Sequence, residues 1–247
     1  MQIYLTGGAS ELPALPPGLG CALADPDPEG NAVPAFPGRE RVLLLGGVLR
    51  PERAAAFAGA CRRQGFSAVL ADFDRPSALN VLRFCDALLR QGVRPILPEE
   101  SWVSGCGAEL LISSAVSGGT LEERLREALE RCPALCLDLE RLRHRFHLPC
   151  PDGQGEPIPP EVLEAHLSKG GEGGFSRELM CRALPLEEGD ESGFILYDDR
   201  ETLCEKVRLA ASLGVRRGFV LWPEWGVEDA AAALEAAKNG KDPAITG

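Results

Sequence analysis

The sequence has little of what nucleic-acid and membrane proteins need. Its 26 lysines and arginines are outnumbered by 37 aspartates and glutamates, which gives a net charge of −11. Nucleic-acid binding depends on stripes of Lys and Arg that displace counterions from phosphates, so this excess of acid argues against a nucleic-acid partner. No apolar run approaches the roughly 20 residues that span a bilayer, and we expect no membrane partner.

Motifs of metal and cofactor chemistry are absent as well. None of the nine cysteines forms a Cys-x-x-Cys pair, and the three histidines, His144, His147 and His166, are not grouped with them. Ligand spacing identifies a zinc site, and the sequence offers none. It also lacks Gly-x-Gly-x-x-Gly, a Walker sequence and a Gly-x-Ser-x-Gly elbow. We therefore expect no metal, no cofactor and no serine-hydrolase triad.

The N-terminus does not resemble an export signal. Residues 1–8 lack both a basic region and a long apolar segment. An odd number of cysteines without such a signal is typical of reduced thiols in the cytosol. These features predict a cytoplasmic protein without a native disulfide.

Short, continuously apolar runs alternate with helical patterns, as in a parallel sheet that helices cover on both faces. The predicted strands are 2–6, 21–25, 41–47, 67–74, 93–99, 109–115, 134–140 and 218–224. The predicted helices are 51–64, 77–91, 121–131, 201–213 and 227–238. This strand-then-helix order favours an α/β fold of the (β/α)₈ TIM-barrel type, a single domain over 1–247, above an open doubly wound sheet.

Two stretches interrupt the alternation. Residues 9–40 contain seven prolines, and residues 148–177 are rich in Pro and Gly, with a short helix predicted over 161–167. A hairpin with strands over 178–184 and 193–197 is predicted to follow. Long Pro/Gly-rich loops of this kind are either lids and binding loops or surface excursions that replace barrel helices, and the sequence leaves both open.

Acidic side chains stand where the predicted strands end. Asp72 and Asp74 end strand 67–74, and residues two apart on a strand point to the same face. The carboxyl ends of parallel strands meet at one rim of a barrel, where barrel enzymes build their sites, so these acids are expected to converge. The other acids predicted at this rim are Asp25, Glu99, Glu100, Asp138, Glu140 and Glu224.

Such a cluster has two interpretations. Mutual repulsion raises the pKa of some carboxyl groups, which is how an enzyme obtains a protonated acid near neutral pH. Alternatively, the acids are ordinary strand ends that pair with nearby arginines, for which Arg75, Arg141 and Arg143 are candidates.

Three aromatic residues are predicted close to the rim. Trp222 and Trp225 would form a flat platform for a sugar, or they would fill the end of the core. The hydroxyl of Tyr197 is expected either at the same rim or at the protein surface.

Residues 66–76 resemble the catalytic strand of family-18 glycoside hydrolases, the chitinase-like barrels. The family pattern is Phe-Asp-Gly, an aliphatic residue, Asp, an aliphatic residue, Asp, an aromatic residue, Glu, an aromatic residue and Pro. Residues 41–47 are similar to the preceding strand of that family, which ends in Gly-Gly. Residues 197–206 and 218–222 are similar to its Tyr-Asp-Asp…Lys helix and its last strand, which ends in Trp.

The resemblance implies roles for two acids. Asp72 falls at the aspartate that orients the substrate acetamido group, and Asp74 falls at the glutamate that protonates the leaving oxygen. Leu70 and Ser67 replace the two earlier aspartates, and the Met-x-Tyr-Asp strand has no match. Asp is one methylene shorter than Glu, and a displacement of about 1 Å can cost roughly 100-fold in rate, so the ordinary chitinase mechanism is not expected.

Two hypotheses follow. In the first, a divergent glycoside-hydrolase-like barrel binds a sugar-like or peptide ligand, or a partner protein, at its acidic rim and has little or no chitinase activity. In the second, the barrel is an active glycosidase-like hydrolase with Asp74 as general acid and Asp72 as positioning carboxylate. The ligand contacts predicted at the rim are Glu99, Asp138, Glu140, Tyr197, Trp222 and Glu224.

Overall fold

Eight parallel strands close into a barrel. The computed structural model describes residues 1–8, 10–24, 39–47, 53–116, 119–150, 153–171, 173–188 and 191–240. The barrel strands are β1 (Gln2–Gly8), β2 (Gly20–Ala24), β3 (Arg41–Gly47), β4 (Ala68–Phe73), β5 (Arg94–Pro98), β6 (Glu109–Ser113), β7 (Leu135–Asp138) and β13 (Arg217–Leu221). Because β13 pairs with both β7 and β1, the sheet has no open edge, and the predicted barrel is confirmed.

Five helices surround the barrel in the described part of the chain. They are α1 (Ala54–Arg63), α2 (Ala78–Arg90), α3 (Leu121–Arg131), α5 (Arg200–Ser212) and α6 (Val227–Asn239). A capping box begins α3, where the Thr120 hydroxyl accepts the N–H of Glu123 at 3.1 Å and the Glu123 carboxylate accepts the N–H of Thr120. Asp25 and Pro51, at the limits of a predicted strand and a predicted helix, lie outside the described residues.

A second sheet is inserted between β7 and α5. Its strands are β8 (Arg143–His147), β9 (Glu156–Pro157), β10 (Gly174–Ser176), β11 (Cys181–Glu188) and β12 (Glu191–Tyr197). The sheet is antiparallel, with the strand order β10-β11-β12-β8-β9, and helix α4 (Pro160–Gly170) lies between β9 and β10 in the chain. The predicted hairpin is confirmed as β11 and β12, but the stretch predicted to be mostly irregular contributes two short strands of a sheet.

The two ends of this inserted sheet are held together at one point. The N–H of Leu142 donates to the Asp198 carboxylate at 3.0 Å, and the N–H of Asp198 donates to the Leu142 carbonyl at 2.9 Å. Asp198 also accepts Nζ of Lys206 at 2.7 Å, and both side chains of this ion pair are buried. The Asp and Lys of the Tyr-Asp-Asp…Lys pattern therefore join the inserted sheet to α5.

The barrel interior has a polar floor and an apolar middle. At the strand starts, Glu40 pairs with Arg94 and Glu109 pairs with Arg217, while the Tyr4 hydroxyl donates to Glu40 at 2.5 Å. Polar groups at this N-terminal end serve stability in barrels of this type. The layer above is Tyr4, Ala22, Val42, Ala68, Ile96, Leu111, Cys136 and Phe219. The interior is thus filled up to the level of the C-terminal rim.

None of the helices described here has both the length and the apolar character that crossing a bilayer requires.

Candidate functional site

A pocket of about 370 Å³, here called the central pocket, opens at the C-terminal end of the barrel. Alternate residues of a strand point inward, so the last inward position of each strand reaches this opening. The pocket is lined by Thr6, Leu44, Leu70, Asp72, Pro98, Glu99, Glu100, Leu111, Ile112, Ser113, Arg124, Asp138, Phe219 and Leu221. Three of the predicted site residues, Asp72, Glu99 and Asp138, therefore meet in one cavity.

Asp138 is a lining residue whose pKa lies above its ordinary value. Burial raises the pKa of Asp138 from 3.8 to about 6, and the charge of Glu140 adds to the increase. Glu140 is exposed and accepts a hydrogen bond from the Ser113 hydroxyl at 2.9 Å. The central pocket thus contains one carboxyl group that holds its proton to an unusually high pH.

Two of the predicted rim acids are paired with arginines. Glu99 forms ion pairs with Arg124, at 3.2 Å, and with Arg131. Glu224 pairs with Arg143 at 2.6 Å, and the hydrogen bond from this guanidinium holds the pKa of Glu224 below its usual range. These two acids are therefore strand-end residues that pair with arginines, which is the second of the two interpretations given for the acidic cluster.

Asp74 lies outside the central pocket. Strand β4 ends at Phe73, and Asp74 follows as an exposed residue whose backbone N–H donates to the Gly47 carbonyl at 3.1 Å. Asp72 lines the pocket, one residue before the end of the same strand. The structure brings Asp72, but not Asp74, to the cavity.

The three predicted aromatic residues do not line the central pocket. Trp225 is buried, and its indole N–H donates to the Leu139 carbonyl at 2.8 Å, so this side chain belongs to the core. Trp222 is half-buried and packs against the same core cluster. Tyr197 is buried in the inserted sheet, where its hydroxyl accepts the N–H of Gly173 at 3.3 Å.

A second cavity of about 280 Å³, here called the outer pocket, adjoins the first. The two share Asp138 and Leu221, and Leu221 is 48% exposed at their boundary. The outer pocket is lined by Asp138, Glu140, Arg141, Arg143, His144, Pro157, Ile158, Leu221 and Glu224. The inserted sheet therefore supplies one wall of a cleft that continues from the barrel mouth.

Thr6 is a site residue that no motif marks. It is 9% exposed, lines the central pocket, and its hydroxyl has no hydrogen-bond partner in the described structure. Alternation along β1 would have identified it, because Thr6 lies two residues after the inward-facing Tyr4. Most buried polar atoms are hydrogen-bonded, so this hydroxyl, whose oxygen is itself buried, is an exception among the described residues.

The described part of the chain contains no group of three or more His, Cys, Asp or Glu side chains arranged to hold a metal. The central pocket is therefore characterised by its carboxylates and by the apolar side chains at its base, which belong to the apolar middle layer of the barrel.

No family model and no curated protein matches this sequence. Solved structures do match the fold. A chitinase from Chromobacterium violaceum superposes with a TM-score of 0.60 at 15% identity, over 89% of this chain and 90% of that one. A GH18 chitinase from Cycas revoluta in complex with (GlcNAc)3 superposes with a TM-score of 0.52 at 14% identity, over 83% of this chain and 81% of that one.

The spore cortex-lytic enzyme SleL of Bacillus megaterium gives a TM-score of 0.57 at 12% identity. The match covers 81% of this chain but only 59% of SleL, so the chain spans less than two thirds of that enzyme. At these identities the comparisons establish the architecture alone. The chain has the barrel fold of the chitinase-like glycoside hydrolases, in a divergent form.

Proposed function

We propose that the barrel binds a sugar-like ligand in its central pocket and hydrolyses chitin little or not at all. The cavity has the size of ordinary small-molecule sites, which begin at about 300 Å³. It stands at the end of the barrel where enzymes of this architecture hold their substrates. Its lining combines apolar side chains with a few polar groups, a combination that suits the two-sided character of a sugar ring.

The lining of the central pocket is the observation that carries this proposal. Asp72 and Asp138 offer carboxyl groups to ligand hydroxyls, and apolar side chains such as Leu70 lie beside them. Hydrogen bonds to charged groups contribute about 1.5–3 kcal/mol each, so these two carboxyl groups can orient a sugar ring over the apolar surface.

The absence of ordinary chitinase activity is supported by the position of Asp74. The resemblance gives this residue the role of proton donor, but it is exposed beyond the strand end and contributes nothing to the pocket lining. Leu70 occupies the wall where the family pattern has a further aspartate. If a carboxyl group of this cleft donates a proton, Asp138 is the better candidate, because it is half-buried and has the raised pKa.

A cytoplasmic location is part of the proposal. All nine cysteines are free thiols, which suits a reducing compartment.

Two measurements on the purified chain test these statements. Incubation with chito-oligosaccharides, followed by chromatography of the products, should give no turnover above the buffer control, and Asp74→Glu should not create any. Robust turnover by the native protein that Asp74→Asn abolishes would overturn the proposal in favour of the hydrolase.

Binding is measured by calorimetry with a panel of neutral and amine-bearing oligosaccharides. Asp72→Ala removes a carboxylate from the pocket lining, so affinity should fall about 3- to 10-fold, the equivalent of one hydrogen bond. Failure of every sugar in the panel to bind would refute the proposed function.

A further inference from the structure

Two neighbouring thiols lie on the side of the barrel, away from the central pocket. Cys85 is on α2, and Cys106 is on the segment between β5 and β6, here called the β5–β6 loop (residues 99–108). Both belong to one cluster of buried side chains, and the Cys85 thiol is hydrogen-bonded to the Cys106 sulfur.

The backbone shows the same proximity. A Cβ added to Gly107, the residue after Cys106, would lie 2.8 Å from Cδ1 of Leu89, which is one helical turn after Cys85 on α2. The β5–β6 loop therefore packs directly against the helix that carries Cys85. The pair consists of two residues that are 21 positions apart in the chain and in contact in the fold.

The two thiols differ in acidity. The hydrogen bond from Cys85 lowers the pKa of the Cys106 thiol from 9.0 to about 6, and backbone N–H groups such as that of Ala108, 3.4 Å from Sγ, contribute. The same hydrogen bond, aided by burial, raises the pKa of Cys85 above its ordinary value. Because the thiolate is the nucleophilic form of cysteine, Cys106 is the reactive member of the pair.

The two thiols also differ in exposure. Cys106 is 5% exposed and lies between Gly105 and Gly107, both of which are exposed, whereas Cys85 is 0% exposed. The two glycines have φ values of 80° and 73°, a region that residues with a Cβ seldom adopt. A small oxidant from solvent therefore reaches Cys106 before Cys85.

We propose that Cys85 and Cys106 are a redox modification site, at which hydrogen peroxide produces a reversible disulfide within one chain. The Cys106 sulfur attacks a peroxide oxygen, the O–O bond breaks, and the departing hydroxide takes up the proton that Cys106 had released, giving water and a sulfenic acid. The Cys85 sulfur then attacks the Cys106 sulfur, the S–O bond breaks, and hydroxide leaves with the Cys85 proton as a second water. The two sulfurs lose two electrons, and one peroxide becomes two waters.

This inference does not depend on the proposed function, because neither thiol lines the central pocket. Peptide mapping of the full chain tests it. The reduced protein is treated with an equimolar amount of hydrogen peroxide, the remaining thiols are alkylated, and the chain is cleaved with trypsin without reductant. Cleavage after Arg90 separates Cys85, in residues 84–90, from Cys106, in residues 91–124, so a crosslink between these two peptides identifies the disulfide.

The native chain should lose two of its nine thiols and recover both on treatment with dithiothreitol. Cys85→Ala removes the thiol that resolves the sulfenic acid, so this variant should form no crosslink, and dimedone should capture the sulfenic acid at Cys106. Cys132→Ala is the matched control, because Cys132 is 7% exposed but lies in another core cluster. The crosslink in this variant should form as in the native chain.

A native chain that keeps all nine thiols would contradict the proposal, and so would oxidation of Cys106 that leaves Cys85 unlinked. Crosslinks spread over several cysteine pairs, or linked chains on a denaturing gel without reductant, would count against it in the same way. Thermal unfolding verifies that each variant is folded, and the result for the native chain stands without either variant.

Discussion

The buried ion pair between Asp198 and Lys206 should contribute strongly to the stability of the barrel. The Asp198 carboxylate receives hydrogen bonds from Lys206 Nζ at 2.7 Å, from the Thr202 hydroxyl at 2.9 Å and from the Leu142 N–H at 3.0 Å. The two side chains of the pair are 0% and 2% exposed. Removal of either partner leaves a charge that water cannot reach.

The magnitude follows from that burial. Breaking a buried pair by removing one partner costs about 3–5 kcal/mol, most of which is the penalty of the uncompensated charge. Lys206→Met retains the length of the side chain, and two donors to Asp198 remain, so we expect a loss of about 3 kcal/mol. Asp198→Asn leaves the lysine without a counterion, and its amide cannot accept all three bonds, so a loss of about 4 kcal/mol is expected.

The double variant Asp198→Asn/Lys206→Met separates the pair from the individual side chains. Neither charge remains, so the expected loss is about 2 kcal/mol, well below the sum of the two single losses. The measurement is urea unfolding followed by tryptophan fluorescence. Lys238→Met is the matched control, because it breaks the exposed pair with Glu235 and should cost less than about 1 kcal/mol. Single losses below about 1 kcal/mol, or losses that simply add, would refute this reasoning.

Asp138→Asn should stabilise the protein by about 1–3 kcal/mol at pH 8 and change nothing near pH 3.5, as measured by urea unfolding at both values. The pKa of this carboxyl group is about 6 in the folded protein against 3.8 ordinarily, so its ionisation costs stability as the pH rises from about 4 to about 6, and the cost remains above that range. A difference that does not depend on pH would contradict this sign. Thiol titration of the freshly purified, denatured protein without reductant should count all nine cysteines; a count of seven or fewer would show a disulfide.

The barrel could be predicted from the sequence because its strands are apolar on both faces. The prediction of strand 41–47 matches β3, and the other seven predicted strands overlap the observed ones with boundary shifts of a few residues. Of the inserted sheet, the sequence predicts the hairpin of β11 and β12 but not the other three strands. Strand β8 is Arg-His-Arg-Phe-His, which has no apolar run, and β9 and β10 are two and three residues long. Strand β8 depends on its pairing with β12, which is distant in the chain, and β9 and β10 are too short to show a periodic pattern.

The sequence predicts where the acidic rim lies, but not which of its acids pair with arginines. Strand ends converge by topology, which explains why Asp72 and Asp138 meet at the central pocket. The arginines that pair with Glu99 and Glu224 come from α3 and β8, and no spacing in the sequence brings them there. Tyr197 was expected close to the rim or at the surface, but the fold of the inserted sheet buries it beside Gly173.

The joined ends of the inserted sheet make it an exchangeable module. Fifty-five residues, 143–197, leave and re-enter the barrel between Leu142 and Asp198, which are hydrogen-bonded to each other. Insertions whose ends lie close together disturb the host fold little, and the entropy of closing them grows only slowly with length. The module can therefore be lengthened, shortened or replaced while the eight-stranded barrel stays closed. Because it forms a wall of the outer pocket, each such exchange would give the same barrel a different specificity.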